Sequence, residues 1–524
     1  MKVALILFLG LQCFSVTHGV QHSFTRPELL SNLREALEGA RLKTGSTGMS
    51  VAVIHKGKLI FAEGFGKRNQ HEPFTPETVM PIGSLSKSFT AAAIGELVAE
   101  GKMDWDTTPV SKYLPEFQLH DRLLTSQVTI QDLLSHRTGI LNDAIPWMWT
   151  LESKSILIER LRYIESDSKL RSDTMYSNNM YAVAGEAAAN VAGMPYENLV
   201  AEKIFKPLGL SNIGFSTPEM SKRYRNFAMP YTAESFEDAQ NGRYIELPLE
   251  DMTPADQAAG GIHTNVLELA RWGQTVMRLG EMDGRQVLNK DSVIEGLSGH
   301  SIFRKYRSTS DFSPSSAYGF AWLLDTYKGN IMYQHTGHVI GYKSNMVIFP
   351  DSELVVAFLL NAEFSSLLHV PFYIADELLG LPKTQDWIGD LAVNATKQNF
   401  DDIESLAKGD FPPRIENKPP SHELEDMVGE YSSLVNGNIS ISLVRSEGVG
   451  MLHIKLAAFD GVLEHYHYDS FSTSLSHAGF KIGVLVSFVT GQDGKIEGLN
   501  LPGKIEGLNL PGTSESDKFK KISK

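Results

Sequence analysis

The sequence of 524 residues contains a single cysteine, Cys13, and it lies within an apolar segment near the N-terminus. The rest of the chain therefore has no disulfide, no thiol nucleophile and no cysteine-ligated metal site. The formal net charge of −14 gives no electrostatic support to nucleic-acid binding. After the N-terminal segment, no run is long and apolar enough for a membrane-spanning helix, which needs about 20 residues. We expect a chain that is stabilised by its hydrophobic core.

The N-terminus has the pattern of a secretory signal. Lys2 supplies a positive charge, residues 3–11 form a short apolar run, and Gly19 ends a small-residue cleavage site. The pattern predicts a signal peptide over residues 1–19 and a secreted, extracellular protein. Two Asn-x-Ser/Thr sequons are glycosylation candidates if the host is a eukaryote, Asn394 and Asn438.

Strand-like and helix-like segments alternate unevenly along the chain. The runs 49–55 and 59–62 flank a Gly turn and predict a β-hairpin, and further strand-like runs follow between 319 and 360. The part between them, 102–300, reads mostly as helix and loop. The pattern predicts an α/β (α+β) fold with a mixed or antiparallel sheet, flanking helices and a helical insertion.

A second domain is expected after a proline-rich linker. Beyond it the pattern is β only, with glycine turns, and predicts a small antiparallel barrel or sandwich. The last residues are rich in lysine and are expected to form a frayed tail. The predicted boundaries are 20–395 for the first domain, 396–422 for the linker, 423–515 for the β domain and 516–524 for the tail.

The tetrapeptide Ser84-Leu-Ser-Lys87 is the strongest chemical signal in the sequence. A glycine loop precedes it and a helix-forming stretch follows, so Ser84 and Lys87 are expected on one side of a helix N-terminus. The amine can take the proton of the hydroxyl, and the helix dipole favours developing negative charge. A serine cap is the plain alternative, and Ser166 to Lys169 has the same spacing in a polar loop.

A tyrosine motif, Tyr176-Ser-Asn178, precedes a predicted helix. Its phenol can lie against Ser84 and move protons, while Asn178 can hold a substrate carbonyl or the lysine amine. Tyr196 and Tyr224 start motifs of the same spacing, and we expect both to be ordinary structural tyrosines.

A third element, His335-Thr336-Gly337, ends one predicted strand. Glycine there lets a substrate backbone approach closely, and the backbone N–H groups of His338 and Ser84 can form an oxyanion hole. His136-Arg-Thr-Gly139 looks similar but follows a helix, which predicts a helix-end turn.

The three elements together resemble the class C β-lactamase-like family, which includes D-alanyl-D-alanine carboxypeptidases, D-aminopeptidases and carboxylesterases. The resemblance covers about residues 26–385 and extends to 133–139, 207–210, 259–262, 270–272 and 318–322. The segment from Met427 onward is similar to the lipocalin-like domain that follows the catalytic domain in some members.

The resemblance implies a role for each motif residue. Ser84 is the acylated nucleophile, Lys87 and Tyr176 are its base and proton donor, and Asn178, His335, Thr336 and Gly337 bind substrate. It implies no cofactor, and a small-molecule or peptide acyl substrate. No metal is expected from the residues, because His465 and His467, two apart on a predicted strand, are too few for a metal site.

One departure from the β-lactamase pattern bears on the substrate. β-Lactamases usually carry lysine where this chain has His335, so the resemblance favours an esterase or a peptidase. A non-catalytic secreted or extracellular-matrix protein, or an acyltransferase, is the alternative.

Overall fold

An eight-stranded antiparallel sheet forms the centre of the first domain. The computed structural model describes residues 26–140, 152–249, 257–304, 311–446, 449–501, 504–505, 508–509 and 518–523, so the expected signal peptide lies outside it. The strands are β1 (Gly48–His55), β2 (Lys58–Gly66), β3 (Ser301–Arg304), β4 (Ser316–Tyr318), β5 (Leu323–Tyr327), β6 (Asn330–Val339), β7 (Tyr342–Phe349) and β8 (Leu354–Leu360). Their order in the sheet is β3-β4-β5-β6-β7-β8-β1-β2.

Helices cover both faces of this sheet. Residues of β8 alternate between two cores: Val355 packs with helices on one face, and Val356 with those on the other. All seven residues of β8 are buried, as expected for a central strand with both faces covered. The longer helices are α1 (Arg26–Lys43), α2 (Ser86–Ala99), α3 (Asn178–Ala192), α4 (Val266–Met277), α5 (Val370–Leu379) and α6 (Asp390–Lys408).

The insertion between β2 and β3 consists mainly of short helices, as the sequence predicts. A small sheet within it pairs Met80–Pro81 with Ile262–Thr264 and therefore connects the loop before Ser84 to the rest of the insertion.

The chain also has short helices, in the insertion and after it. They are Gly83–Leu85, Val110–Tyr113, Arg122–Thr125, Ile130–Leu134, Lys154–Arg160, Leu161–Tyr163, Tyr196–Val200, Ala201–Phe205, Lys206–Leu208, Thr217–Arg223, Phe236–Gln240, Gln257–Gly260, Lys290–Gly296, Leu367–His369 and Leu424–Met427. The remaining short strands are Gly214–Phe215, Tyr231–Thr232, Ile245–Glu246, Glu281–Met282, Arg285–Gln286, Lys504–Ile505 and Leu508–Asn509.

The C-terminal domain is a closed eight-stranded antiparallel barrel. Its interior is filled by aliphatic and aromatic side chains, with Tyr431 and Phe459 fully buried among them. The strands are β9 (Gly429–Ser433), β10 (Gly437–Ser446), β11 (Val449–Leu456), β12 (Phe459–His467), β13 (Ser470–His477), β14 (Phe480–Thr490), β15 (Ile496–Asn500) and β16 (Phe519–Ser523). The sheet, the flanking helices and this barrel confirm the predicted fold class.

The two ends of the barrel domain differ from the sequence expectation. Much of the expected linker 396–422 is helical, because α6 runs to Lys408 and buries Thr396. Where the structure describes it, the expected tail 516–524 is not frayed. Its residues 519–523 form β16, which pairs with β9 and β15 and closes the barrel. Phe519 is 1% exposed inside the barrel, and this buried aromatic ring outweighs the charge of the neighbouring lysines.

The barrel packs against the first domain at two loops. Val435, between β9 and β10, is 2% exposed and belongs to a hydrophobic core of the first domain. Gly437 lies beside the guanidinium of Arg160, and Gly479 lies beside Leu247. Both candidate sequons, at Asn394 and Asn438, have exposed side chains. Among the described residues, no helix combines the length and hydropathy that a membrane crossing requires.

Candidate active site

Ser84 lies where a tight turn enters α2. The turn, Gly83–Leu85, is 3₁₀-helical and continues directly into the α-helix. Gly83 has φ +53°, and a Cβ there would come within 2.6 Å of the backbone nitrogen of His338. Only glycine allows this close approach. Ser84 is partly exposed, whereas Lys87, one turn along α2, is completely buried.

Lys87 is held by three oxygen atoms. Its Nζ lies 2.9 Å from Ser84 Oγ, 2.7 Å from Asn178 Oδ1 and 2.8 Å from the carbonyl oxygen of Ala259. An ammonium group can donate to all three atoms. A neutral amine can donate to Asn178 and Ala259 and direct its lone pair at Ser84. The arrangement therefore fits both protonation states of a general base.

Hydroxyl groups on α2 position the segment that carries Ala259. Ser86 Oγ accepts a hydrogen bond from the N–H of Ile262 at 3.0 Å, and Thr90 Oγ1 donates to the Ala258 carbonyl at 2.6 Å. Ala259 lies between these two anchors. These contacts fix a backbone carbonyl toward Lys87 inside the protein, where water is excluded.

Tyr176 lies on the other side of the serine. Its side chain is hydrogen-bonded to Ser84, and burial raises the phenol's pKa above its ordinary value despite that bond. The phenol is therefore protonated at neutral pH. The ring also faces Lys87, whose Nζ lies 5.0 Å from the ring centroid. Asn178, the first residue of α3, contacts Lys87, so the structure brings together Ser84, Lys87, Tyr176 and Asn178.

The competing motifs lie in other settings. Ser166 and Lys169 are exposed in a segment without a following helix of the α2 kind. Tyr196 is buried, and its hydroxyl is hydrogen-bonded to Thr90 at 2.7 Å, while Tyr224 packs edge-on against His263. These tyrosines have structural contacts away from Ser84.

Strand β6 presents an open edge to this group. β5 pairs with β6 only as far as Gln334, so residues 335–339 have a partner on one side only, β7. A Cβ at Gly337 would come within 1.9 Å of the Ile82 carbonyl oxygen, which explains the glycine. Because of this close contact, the backbone of His338 packs directly on the turn that carries Ser84. Thr336 and His338 have exposed side chains, and His335 is buried.

His335 is neutral in this structure. Its Nδ1 lies 2.6 Å from the Thr336 carbonyl oxygen, so Nδ1 carries the hydrogen and Nε2 accepts from the Tyr318 hydroxyl at 2.9 Å. Burial, together with the charge of Lys87, lowers the pKa of His335 to about 3. The open edge of β6 therefore has no fixed positive charge at this position.

A charged cluster lies next to the open edge. The Nε2 atom of His338 is 2.7 Å from Glu363 Oε1, and Lys343 lies partly buried nearby, with Nζ 3.0 Å from the Ser365 carbonyl oxygen. Burial alone would raise the pKa of Glu363. The charges of His338 and Lys343 and the hydrogen bonds from His338 and the Gly341 N–H outweigh it and lower that pKa to about 2.

Sequence reasoning missed three members of the site. The Ala259 carbonyl is a backbone group, so residue type carries no signal for it. The sequence marks Tyr318 only as part of a segment that resembles the family, whereas in the structure its hydroxyl is the partner of His335. His136 was expected to be a turn residue only, but its ring packs on Tyr176 with centroids 4.3 Å apart. Among the described residues, no cluster of His, Cys, Asp and Glu could hold a metal ion.

Comparisons with known proteins identify the families that the two domains match. The family described as Beta-lactamase matches residues 31–377, and a Domain of unknown function (DUF3471) matches 413–518. "Unguisins hydrolase ungD'" of Aspergillus campestris is 28% identical over 330 residues, which cover 61% of this chain and 59% of that protein. The match thus spans less than two thirds of that relative's length.

Solved structures share the fold. The octameric penicillin-binding protein homologue from Pyrococcus abyssi matches with a TM-score of 0.58 and 21% identity over 90% of this chain and 98% of that one. "EstCE1, a hydrolase with promiscuous acyltransferase activity" matches with a TM-score of 0.56 and 19% identity over 67% of this chain and 99% of that one. The chain belongs to the Beta-lactamase family, a family of serine hydrolases.

Proposed function

We propose that this protein is a secreted serine hydrolase that forms an acyl-enzyme on Ser84 from an ester, an amide or a D-amino-acid peptide. The observation that carries the proposal is the position of Ser84 Oγ between Lys87 Nζ, 2.9 Å away, and the hydrogen-bonded phenol of Tyr176. A hydroxyl between an amine and a phenol can lose its proton to one and pass a proton through the other.

The reaction follows from these contacts. Neutral Lys87 takes the Ser84 proton while Oγ bonds to the substrate carbonyl carbon, whose oxygen becomes an oxyanion. The N–H groups of Ser84 and His338 stabilise that charge. The carbonyl reforms as the bond to the leaving group breaks, and Tyr176 gives the leaving group a proton that Lys87 replaces. Water then attacks the carbonyl carbon of the ester on Ser84 and gives its proton through Tyr176 to Lys87. The bond from that carbon to Ser84 Oγ breaks, Oγ takes the proton back from Lys87, and the acid is released.

The charges around the open edge support an uncharged acyl substrate. The family's β-lactamases use a cation where this chain has His335, and His335 is neutral because its pKa is about 3. Glu363, with a pKa of about 2, is negative beside the same edge, and its charge offsets that of the nearby Lys343. A substrate carboxylate near β6 would meet no fixed cation at position 335, so esters and amides without that carboxylate are favoured over β-lactams.

A fluorophosphonate probe tests the nucleophile. We expect wild type to be labelled, Ser84→Ala to be unlabelled, and Ser166→Ala, which removes the competing serine, to be labelled like wild type. Equal labelling of wild type and Ser84→Ala would refute the proposal. A panel of p-nitrophenyl esters, D-amino-acid anilides and nitrocefin then ranks the substrates, with esters or anilides expected above nitrocefin.

The same experiments separate the alternatives. A non-catalytic matrix protein predicts no labelling and recovery in an insoluble fraction. An acyltransferase predicts labelling, but with an added alcohol or amine the product would be a new ester or amide rather than the acid. Secretion is tested by expressing the full chain in eukaryotic cells. We expect it in the medium, with a mass that falls on glycosidase treatment unless Asn394→Gln and Asn438→Gln are combined.

A further inference from the structure

His136 joins two loops of the helical insertion. It follows the helix Ile130–Leu134 and has φ +59°, a left-handed conformation that is uncommon for a residue with a side chain. The loops are connected by backbone hydrogen bonds from the N–H of Ser168 to the Gly139 carbonyl and from the N–H of Arg171 to the Arg137 carbonyl. Such an unusual backbone persists only where the surroundings fix it.

A buried carboxylate fixes these loops further. Asp132 is fully buried, and its two oxygens lie 2.8 Å from Arg137 Nε and 2.8 Å from Arg171 Nη2. One arginine comes from each loop. The ion pairs therefore hold the segment before Tyr176 at a constant distance from His136.

His136 contacts Tyr176 and both of its neighbours in the chain. Its carbonyl accepts a hydrogen bond from the Met175 N–H at 2.7 Å, and its ring Nδ1 accepts one from the Ser177 N–H at 3.1 Å. Between these two bonds, the ring itself packs on the phenol ring of Tyr176, with centroids 4.3 Å apart and planes tilted by 37°. One residue therefore contacts the backbone N–H groups of Met175 and Ser177 and the ring of Tyr176 between them.

The ring of His136 is suited to a site beside a lysine. Nδ1 accepts a hydrogen bond, so the hydrogen is on Nε2, which is buried and has no hydrogen-bond partner among the described residues. Burial first, and then the nearby charges of Lys87 and His335, lower the pKa of His136 well below its ordinary value. The imidazole is therefore a neutral acceptor at neutral pH.

We propose that His136 is a positioning residue that holds the phenol of Tyr176 against Ser84 through the acceptor Nδ1 and the packed ring. The inference rests on the proposed function, in which Tyr176 moves protons. His136 does not touch Ser84 or the substrate, and it acts only through Tyr176.

Two variants of nearly equal shape test the acceptor. His136→Asn keeps an oxygen that can accept from the Ser177 N–H, and asparagine tolerates a positive φ. His136→Leu has the same branching but no acceptor. We expect the acylation rate with a p-nitrophenyl ester to fall by about 10²-fold in His136→Leu, as for other misplaced catalytic groups. In His136→Asn we expect most of it to return, with KM for the ester little changed in both.

A double-mutant cycle with Tyr176→Phe separates positioning from a general loss of structure. If His136 acts through Tyr176, then His136→Leu costs no further activity once the phenol hydroxyl is gone. His369→Leu is the matched control, because His369 also packs on an aromatic ring, that of Trp387, but in the other core. We expect this control to change the melting temperature without changing the acylation rate.

The outcomes are distinct. Wild-type acylation in His136→Leu, or the same loss with and without Tyr176→Phe, overturns the positioning role while Ser84-dependent labelling is intact. Should His136→Leu fail to fold, the cycle is run with His136→Gly, which adopts the positive φ freely and removes both the ring and the acceptor, and an additive loss overturns the inference. Labelling that does not depend on Ser84 overturns the proposed function itself.

Discussion

The hydroxyl of Tyr318 lies 2.9 Å from Nε2 of His335, and both side chains are buried. Because the other ring nitrogen of His335 donates to a backbone carbonyl, the phenol donates and the imidazole accepts. Two neutral groups thus occupy a position at which a lysine would carry a charge. The pair fixes the ring of the first residue on the open edge of β6.

Removing the Tyr318 hydroxyl tests this contact. Tyr318→Phe keeps the ring but leaves the acceptor of His335 without its donor. A buried hydrogen bond contributes about 1 kcal/mol, so we expect kcat/KM for the preferred ester to fall roughly five- to tenfold. Tyr333 is a control, because it is partly buried and lies on β6 with His335. The kcat/KM of Tyr333→Phe should match that of wild type. Equal activity of the two variants would show that the Tyr318 hydroxyl does not support the site.

The titration of His335 should not affect the pH dependence of activity between pH 5 and 8. Its pKa of about 3 means that the ring stays neutral as the pH is changed from 5 to 8, and it gains a proton only near pH 3. We expect the kcat/KM profiles of wild type and His335→Gln to have the same shape over this range, whatever their relative height. An inflection between pH 6 and 7 that disappears in His335→Gln would contradict the burial argument.

If Lys87 is the base, a negative charge beside it should shift the acid limb of the pH profile of kcat/KM. Asn178→Asp places a carboxylate where Oδ1 now lies 2.7 Å from Lys87 Nζ. A negative charge at this distance favours the ammonium form of Lys87, so the amine becomes available only at higher pH. We expect the acid limb of kcat/KM to move upward by at least about one pH unit. Asn178→Ala should lower activity without that shift, and an unmoved limb in Asn178→Asp would argue against Lys87 as the base.

The fold class and the contact between Ser84 and Lys87 could be predicted from the sequence, because both depend on local patterns. A Gly turn between apolar runs specified the β1–β2 hairpin, and a three-residue spacing on a helix specified the pair. Gly337 does mark a close backbone approach to β6, but the group that approaches is the Ile82 carbonyl and not a substrate backbone. These signals need no knowledge of the tertiary structure.

The remaining contacts depend on tertiary packing. The Ala259 carbonyl reaches Lys87 across 172 positions of the chain, and no residue type marks a carbonyl. Phe519 closes the barrel although lysines follow it, because pairing with β9 depends on a strand about 90 residues earlier. His136 looked like a turn residue, and its backbone is one, but its ring contacts become visible only when the loop before Tyr176 is placed.

Glu363 predicts a pH-dependent part of the stability. Its folded-state pKa of about 2 lies below the ordinary value of 4.5, so the stabilisation is complete above pH 4.5 and is lost as the pH falls toward 2. The shift corresponds to about 3 kcal/mol at neutral pH. Glu363→Gln should lower the free energy of unfolding at pH 7 by an amount of this order, and the difference from wild type should shrink on acidification. Glu281→Gln, an exposed control, should show no such trend.

The barrel is expected to stabilise the first domain through Val435. This side chain is 2% exposed and belongs to the core that also contains α2 residues, whereas its neighbour Leu434 is 58% exposed. Val435→Ala should lower the free energy of unfolding by about 2 kcal/mol, while Leu434→Ala changes it little. Because the lost contacts lie between the domains, the half-life of esterase activity at elevated temperature should fall together with the thermal transition. If Val435→Ala loosens only the barrel and leaves the inactivation rate unchanged, then the two domains are energetically independent.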